Sequence, residues 1–167
     1  MSVSSRANRR AADSVVAGSP DELERRLVAT IPTVIRHLLA HARRRPSWRD
    51  SKLTFQQYNV LRIIHGDDLI GPAEVARRLM VSAPVVTRLV GGLVEAGLVE
   101  RQPDPGDRRA VRLGLTAAGR RRSNAMRRGL LAAATELIEP LPRERREAVS
   151  AALEELQVLL PSRGRSG

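Results

Sequence analysis

Thr87 and Arg88 are the residues of this sequence whose types and position best suit contact with a nucleic acid. Apolar residues at helical spacing from Val86 to Val94 predict a helix, here called the recognition helix, that begins at Ser82. Its outward positions are small or hydrogen-bonding, as a helix entering a DNA groove about 12 Å wide requires. Thr87 and Arg88 could donate to base edges or phosphates, and the helix start could bind a phosphate. The alternative is a plain surface helix with one arginine.

Arg108 and Arg109 form a second candidate contact. They follow a segment rich in turn-forming residues, Pro103 to Asp107, between strands predicted over 98–102 and 110–115. An arginine at the tip of a thin hairpin can reach a narrow minor groove, where the electrostatic potential is most negative. Asp107 could orient the Arg109 guanidinium through a bidentate pair. The alternative is a solvated turn with incidental charge.

The elements that would position these residues form a mainly α-helical chain with a small β-hairpin, the wing. Thr54 with Gln57 predicts a capping box, Gly97 predicts the end of the recognition helix, and Thr116 is expected to cap the helix after the hairpin. A turn is predicted at 65–68 and a very short extended segment at 69–70. The predicted helices span about 20–45, 54–64, 72–80, 82–96, 116–139 and 142–160.

A single domain over residues 20–161 is expected from the length of 167 residues. Residues 1–19 are predicted to be a disordered basic tail, and residues 162–167 a flexible tail. We expect a DNA-binding lobe at 53–116 and dimerisation helices at 20–46 and 117–160. The apolar seams of these outer helices exceed what one small lobe can cover, which favours a homodimer over a monomeric bundle. The seams span Leu23–Leu39, Met126–Leu141 and Val149–Leu160.

The charge of the chain favours a polyanionic partner. There are 29 basic and 18 acidic residues, and the net charge is +11. The absence of cysteine excludes disulfides, thiolate metal sites, iron–sulfur clusters and cysteine nucleophiles. No apolar run could span a bilayer and no secretion signal is recognisable, so a cytoplasmic protein without a membrane partner is expected.

The stretch Glu74–Arg120 resembles the MarR family of bacterial winged-helix regulators. Four segments carry the resemblance, in matching order and spacing: Thr87-Arg88-Leu89-Val90, Glu95 to Arg101, Asp107-Arg108-Arg109 and Leu115 to Arg120. The sequence departs from the family at Gly91-Gly92, where members often carry Asp-Arg. Two glycines inside a helix cost about 1 kcal/mol each relative to alanine. Either the helix is softened there, or its backbone approaches another group closely.

The resemblance implies a homodimeric, sequence-specific regulator of transcription that binds double-stranded DNA at an inverted repeat, typically as a ligand-responsive repressor. It places the wing contact on Arg109, with Arg108 beside it and Asp107 as its orienting residue. It places the recognition-helix contacts on Ser82, Ala83, Pro84, Val85, Thr87 and Arg88.

The family also implies a pocket for a small anionic or aromatic effector, between the dimerisation helices and the lobe. The candidate lining residues are His37, His41, Trp48, Tyr58 and Arg62, with ordinary packing as the alternative. His37 and His41 have a spacing that suits a metal, but no acidic residue flanks them closely, so we expect neither a metal nor another cofactor.

Two other functions compete with the sequence-specific regulator. A nucleoid-type or RNA-binding protein would use charge alone, and its affinity would be dominated by salt. The Thr87–Arg88 face and the ordered wing argue against it. An enzyme is not expected, because the sequence has no glycine-rich phosphate loop and no recognisable catalytic set.

Overall fold

The computed structural model describes residues 20–104, 106–107 and 109–160. The predicted tails at 1–19 and 162–167 lie outside the described residues. The helices are α1 (Pro20–Arg43), α2 (Pro46–Arg49), α3 (Phe55–Asp67), α4 (Pro72–Leu79), α5 (Ala83–Glu95), α6 (Ala117–Ile138) and α7 (Arg143–Leu159), and the strands are β1 (Leu69–Ile70), β2 (Val99–Pro103) and β3 (Val111–Leu115). The mainly α-helical class with a β-hairpin is confirmed.

The chain divides into two compact units, with the boundary between Ala40 and His41. The first unit contains most of α1, which runs through Pro32 as one helix. Near its start, the Glu22 carboxylate accepts hydrogen bonds from Arg25 at 3.0 Å and Arg26 at 2.8 Å. The apolar seam predicted on this helix is largely exposed, with Leu23 and Ile31 about half accessible to solvent.

In the second unit, α3, α4, α5 and the hairpin surround one apolar core. β1 and β2 both pair antiparallel with β3, so the sheet order is β1-β3-β2. The capping box is confirmed, since Thr54 and Gln57 exchange hydrogen bonds at 3.0 and 3.2 Å. The largest fully buried side chains are Leu61, Ile64, Leu93, Leu113, Met126, Val60, Val75 and Val86.

The predicted end of α3 near Ile64 is wrong, because the helix continues to Asp67. Gly66 takes part in the helix, and the chain reverses at Asp68, which has a φ of 57°. The change of direction therefore occurs at Asp68, whose φ of 57° and ψ of −53° are unusual for a residue other than glycine. The prediction placed the stop and turn over residues 65–68.

The end of α5 is joined closely to the start of α6. Gly97 has a φ of 67°, and the N–H groups of Gly97 and Leu98 donate to the carbonyls of Val94 and Leu93, both at 2.9 Å, in a Schellman motif. The Thr116 hydroxyl donates to the Gly97 carbonyl at 2.7 Å and accepts from the Gly119 N–H at 3.0 Å. The predicted roles of Gly97 and Thr116 are confirmed.

Helix α6 packs against α3 and against the short helix α2. The sequence analysis did not predict α2. Trp48 of α2 is buried, and its indole N–H donates to the Met126 carbonyl of α6 at 2.8 Å. A Cβ atom on Gly129 would lie 2.9 Å from the Trp48 ring, so only glycine leaves room for the indole. The three aromatic rings of the chain, Trp48, Phe55 and Tyr58, pack together with centroids 5.2–6.3 Å apart.

Helix α7 contains no buried residue. Its predicted apolar seam is present but faces solvent, with Val149 41% and Leu153 54% exposed. Leu137 and Ile138, at the end of α6, are also exposed. In the described part of the chain, no helix is long and apolar enough to cross a membrane.

Gly119→Ala should destabilise the second unit by about 3 kcal/mol, because a Cβ atom at this buried position would lie 1.9 Å from the Leu98 carbonyl oxygen. Gly91→Ala is the matched control: its Cβ would meet no atom within 4 Å, and alanine should stabilise the helix by about 1 kcal/mol. Urea unfolding followed by circular dichroism measures both. Equal effects of the two substitutions would contradict the close approach at Gly119.

Candidate nucleic-acid interface

The outward face of α5 is formed by most of the residues predicted to contact DNA. Ser82, Ala83, Pro84, Thr87 and Arg88 are all exposed. Ser82 occupies the N-cap position with extended backbone, as predicted, but its side chain makes no capping hydrogen bond. Pro84 has no N–H, and the Val85 N–H donates to the Ser82 carbonyl at 3.1 Å. In the described part of the chain, the Ser82 hydroxyl and the Ala83 N–H are therefore the groups at this helix start that are left for an external partner.

Val85 differs from its neighbours in this set. It is half-buried and packs against the apolar core. The Thr87 hydroxyl donates to the Ala83 carbonyl at 3.0 Å, so its oxygen can accept a hydrogen bond from a base amino group. Arg88 makes no hydrogen bond or ion pair with any other described residue, and its guanidinium is available for an external acceptor.

The turn between α4 and α5 sets the direction of α5. Met80 adopts the left-handed conformation, with φ 53° and ψ 44°, and the Val81 N–H donates to the Ala76 carbonyl at 3.1 Å. The Met80 side chain is 91% exposed. This tight reversal produces the helix-turn-helix geometry that the sequence predicted.

An ion-pair network on α4 was not predicted, although its spacing of three and four residues could have revealed it. The Glu74 carboxylate accepts from Arg77 at 2.7 Å and from Arg78 at 2.6 Å, and these hydrogen bonds lower its pKa to about 2. Arg78 also donates to Asp67 at 2.5 Å. Arg78 thereby ties α4 to the end of α3 and holds the first helix of the motif in place.

The wing is ordered by two aspartates. The Asp104 carboxylate accepts from the Gly106 N–H at 2.8 Å and from the Arg112 guanidinium, and these bonds lower its pKa. The Asp107 carboxylate accepts from the Arg109 backbone N–H at 2.9 Å. Asp107 thus fixes the backbone of Arg109, whereas the sequence analysis expected a bond to its guanidinium. Arg109 is exposed, and Arg108 lies outside the described residues.

A pocket that the sequence analysis missed lies between the recognition helix and the wing. Its walls are largely apolar, and its polar groups are those of Thr87 and Arg101. Arg101 is exposed and makes no ion pair with another described residue. No local sequence pattern could reveal this pocket, because its lining residues come from four different elements. The lining residues are Pro72, Val86, Thr87, Val90, Arg101, Val111 and Leu113.

The residues predicted to line an effector pocket occupy different surroundings. Trp48 and Tyr58 are buried in the aromatic cluster, and burial raises the pKa of Tyr58. Arg62 is half-buried and close enough to act on Tyr58 electrostatically. His41 lies 3.3 Å from the Glu136 carboxylate, and His37 is an exposed residue of the first unit. Among the described residues, no three His, Asp or Glu side chains are placed to hold a metal.

Gly91 and Gly92 lie in the middle of α5 without being required by packing inside the chain. A Cβ atom on Gly91 would meet nothing within 4 Å, and one on Gly92 would meet only the flexible end of Gln57, at 3.2 Å. Gly91 is one helical turn beyond Thr87, so it continues the outward face of the recognition helix.

Comparison with known proteins supports the winged-helix interpretation. A family model described as the MarR family matches residues 51–110. The multiple antibiotic resistance protein MarR of Escherichia coli K12 is 39% identical over 67 residues, which cover 40% of this chain and 46% of MarR. The chain therefore matches about half the length of that relative.

Two further similarities extend over most of the chain. An HTH-type transcriptional regulator of Mycobacterium tuberculosis CDC 1551 is 26% identical over 136 residues, covering 81% of this chain and 93% of the relative. The crystal structure of a mutant E. coli MarR complexed with operator DNA superposes with a TM-score of 0.60 at 24% identity, covering 81% of this chain and 97% of that one. The second comparison establishes the fold.

Glu74→Gln should lower stability at neutral pH, and the difference from wild type should disappear in acid. The folded-state pKa of Glu74 is lowered from 4.5 to about 2, so its contribution is fully present above pH 4.5 and is lost as the pH falls towards 2. Urea unfolding midpoints across this range measure the effect. Glu95→Gln, on an exposed glutamate without an ion pair in the described part of the chain, is the control. A pH-independent difference would contradict the ion-pair assignment.

Proposed function

We propose that the chain is a member of the MarR family of winged-helix regulators, and that it acts as a sequence-specific transcriptional regulator that binds an inverted-repeat operator as a homodimer. The observation that carries the proposal is the exposed face of α5. It presents Ser82, Thr87 and Arg88 next to an ordered, arginine-bearing wing. These are the two parts that a winged helix needs to contact both grooves of DNA.

The recognition helix would enter the major groove with its N-terminal end first. Ala83 and Pro84 are small enough to allow close approach, and the Ala83 N–H with the Ser82 hydroxyl would bind a phosphate. Arg88 would donate to guanine O6 and N7 or to a phosphate, and the Thr87 oxygen would accept from a base amino group. A mutant E. coli MarR that shares this fold has been crystallised with operator DNA, which supports DNA as the partner of this chain.

The wing would place Arg109 in the adjacent minor groove. Asp104 neutralises Arg112 at the base of the loop and Asp107 holds the Arg109 backbone, which leaves the exposed Arg109 guanidinium without an ion pair in the described part of the wing. A purely charge-driven DNA- or RNA-binding protein would not require this arrangement. We therefore favour the sequence-specific regulator.

The homodimer is supported by apolar surface that the chain itself leaves uncovered. Leu153 and Val158 of α7, Leu137 of α6 and Leu23 of α1 are each more than two-fifths exposed. Large apolar residues left exposed along a helix typically mark protein interfaces. Two lobes held by these helices would read the two halves of an inverted repeat.

Selection of bound sequences from a random DNA pool, at about 150 mM salt, tests the proposal. We expect a palindromic motif whose half-sites lie about one helical turn apart. A pool without an enriched motif would contradict sequence-specific binding, and an enriched single half-site would contradict the dimer.

Arg109→Ala should weaken binding to the selected operator by about 1–3 kcal/mol, because one minor-groove contact is lost while the Asp107 bond to the backbone remains. Titration by fluorescence anisotropy measures the affinity. Arg44→Ala, at an exposed arginine beyond the end of α1, removes the same charge and should change affinity little. Equal losses in the two variants would contradict the assigned role of Arg109.

The pocket beside Thr87 is the site we propose for a small anionic, aromatic effector. Arg101 would pair with its anion and the apolar walls would bury its ring, and occupancy would perturb the adjoining recognition helix. A perturbed recognition helix would bind the operator less tightly, and release of the protein by the effector would make it a ligand-responsive repressor.

Benzoate, as the simplest aromatic anion, should weaken operator binding by the wild type and have a smaller effect on Arg101→Gln, because the variant lacks the pairing cation. The measurement is an operator titration at increasing benzoate, with chloride at equal ionic strength as the control. Equal release of both proteins would contradict this location.

A further inference from the structure

The first half of α6 carries a set of arginines that do not belong to the proposed reading surface, which is the DNA-binding surface formed by α5 and the wing. Of the nine basic residues between 101 and 130, five lie in α6, and residues 117–135 contain no aspartate or glutamate. We call four of them the arginine stripe: Arg120, Arg121, Arg127 and Arg128. The regional excess of positive charge therefore belongs to α6 more than to the wing.

The arginine stripe lies on one side of the helix. At 3.6 residues per turn its four members fall within about 120° of each other, and all four are exposed. The side that packs against α2 and α3 is the opposite one. Its buried residues are Gly119, Ser123, Met126, Gly129 and Ala133.

The charge of the stripe is mostly uncompensated within the described part of the chain. Arg120 pairs with Asp68 at 3.1 Å, whereas Arg121, Arg127 and Arg128 make no ion pair with a described carboxylate. Arg120 and Arg121 also lie near the positive end of the helix dipole, where acidic residues would be stabilising. The stripe therefore opposes helix stability, and an external polyanion would relieve this repulsion.

The chemistry of the stripe favours phosphate groups. Guanidinium groups bind phosphate oxygens in bidentate fashion. The pairs Arg120/Arg127 and Arg121/Arg128 are each seven residues apart, a distance of about 10.5 Å along the helix. The residue on this side of the helix between these arginines is the polar Asn124. A protein-binding surface would need aromatic or large apolar anchors there, so the stripe fits a nucleic-acid backbone better than an acidic protein.

The position of the stripe separates it from the reading surface. Helix α6 starts at the base of the hairpin, where Thr116 bonds to Gly97, and the wing tip lies one strand length away, about 17 Å. A duplex held at the tip and at the start of α5 could reach the base only by bending sharply, which its stiffness opposes.

We propose that the arginine stripe binds the phosphate backbone of a second DNA duplex, so that the protein bridges two DNA segments. This inference rests on the proposed function, since the first duplex is the operator held by α5 and the wing. The bound sequence of the second duplex would be immaterial, because backbone contacts carry no base information.

A bridging assay tests the proposal. The selected operator duplex is immobilised on beads and saturated with protein, and capture of a labelled duplex without the motif is measured. We expect the wild type to capture the labelled duplex. The double variant Arg121→Gln, Arg128→Gln should capture it about tenfold less well. For this variant, the slope of log affinity for the second duplex against log salt concentration should be smaller by about two. Operator affinity should stay within about twofold, because neither arginine touches the reading surface.

Arg43→Gln with Arg44→Gln is the matched control. These arginines are exposed and unpaired in the described part of the chain, so the same charge is removed elsewhere and capture should be unchanged. Circular dichroism and Trp48 fluorescence verify the fold of each variant. Undiminished capture by the stripe variant, or no capture by wild type on occupied beads, overturns the proposal. If the wild-type protein does not bind the immobilised operator, the proposed function is contradicted instead. In that case, direct titration of the labelled duplex with the wild type and the same variants tests whether the arginine stripe binds DNA.

Discussion

The close approach of Gly119 to the Leu98 carbonyl is the constraint on which the DNA-binding lobe depends. At this point the end of α5, the start of β2 and the start of α6 meet within one hydrogen-bonded joint. Gly97 allows the chain to leave the recognition helix, Thr116 bonds back to it at 2.7 Å, and Gly119 lets α6 begin directly against Leu98. Because two of these positions require glycine, the angle between helix and hairpin tolerates little change.

The joint gives the recognition helix and the wing one common base. The recognition helix and the wing diverge from one fixed base, so Thr87 and Arg109 are held in a defined relation. Asp104 and Asp107 order the loop at the tip, and the Glu74–Arg78–Asp67 network fixes α4. The pocket between helix and hairpin is lined in part by Thr87, so a small molecule bound there would act directly on a proposed DNA contact.

Local sequence rules predicted the parts of this structure that depend on local chemistry. The capping box at Thr54, the stop at Gly97 and the cap at Thr116 follow from neighbouring residues, and the recognition face follows from helical spacing. Contacts between distant residues were beyond such rules. The Trp48 bond to Met126 joins residues 78 positions apart, and the Asp104–Arg112 pair depends on the register of the hairpin. Similarly, Val85 is half-buried because of core packing that its position on the helix did not reveal.

We propose that recognition of operator DNA depends on the shape and side chains of the recognition helix and the wing, rather than on the net charge of +11. The most direct test is the ratio of affinities for the selected operator and for a scrambled duplex of the same length, measured across a salt series. The account predicts a ratio of about 10³ or more that persists as salt weakens both affinities. A ratio near one, with both affinities falling in parallel, would contradict it.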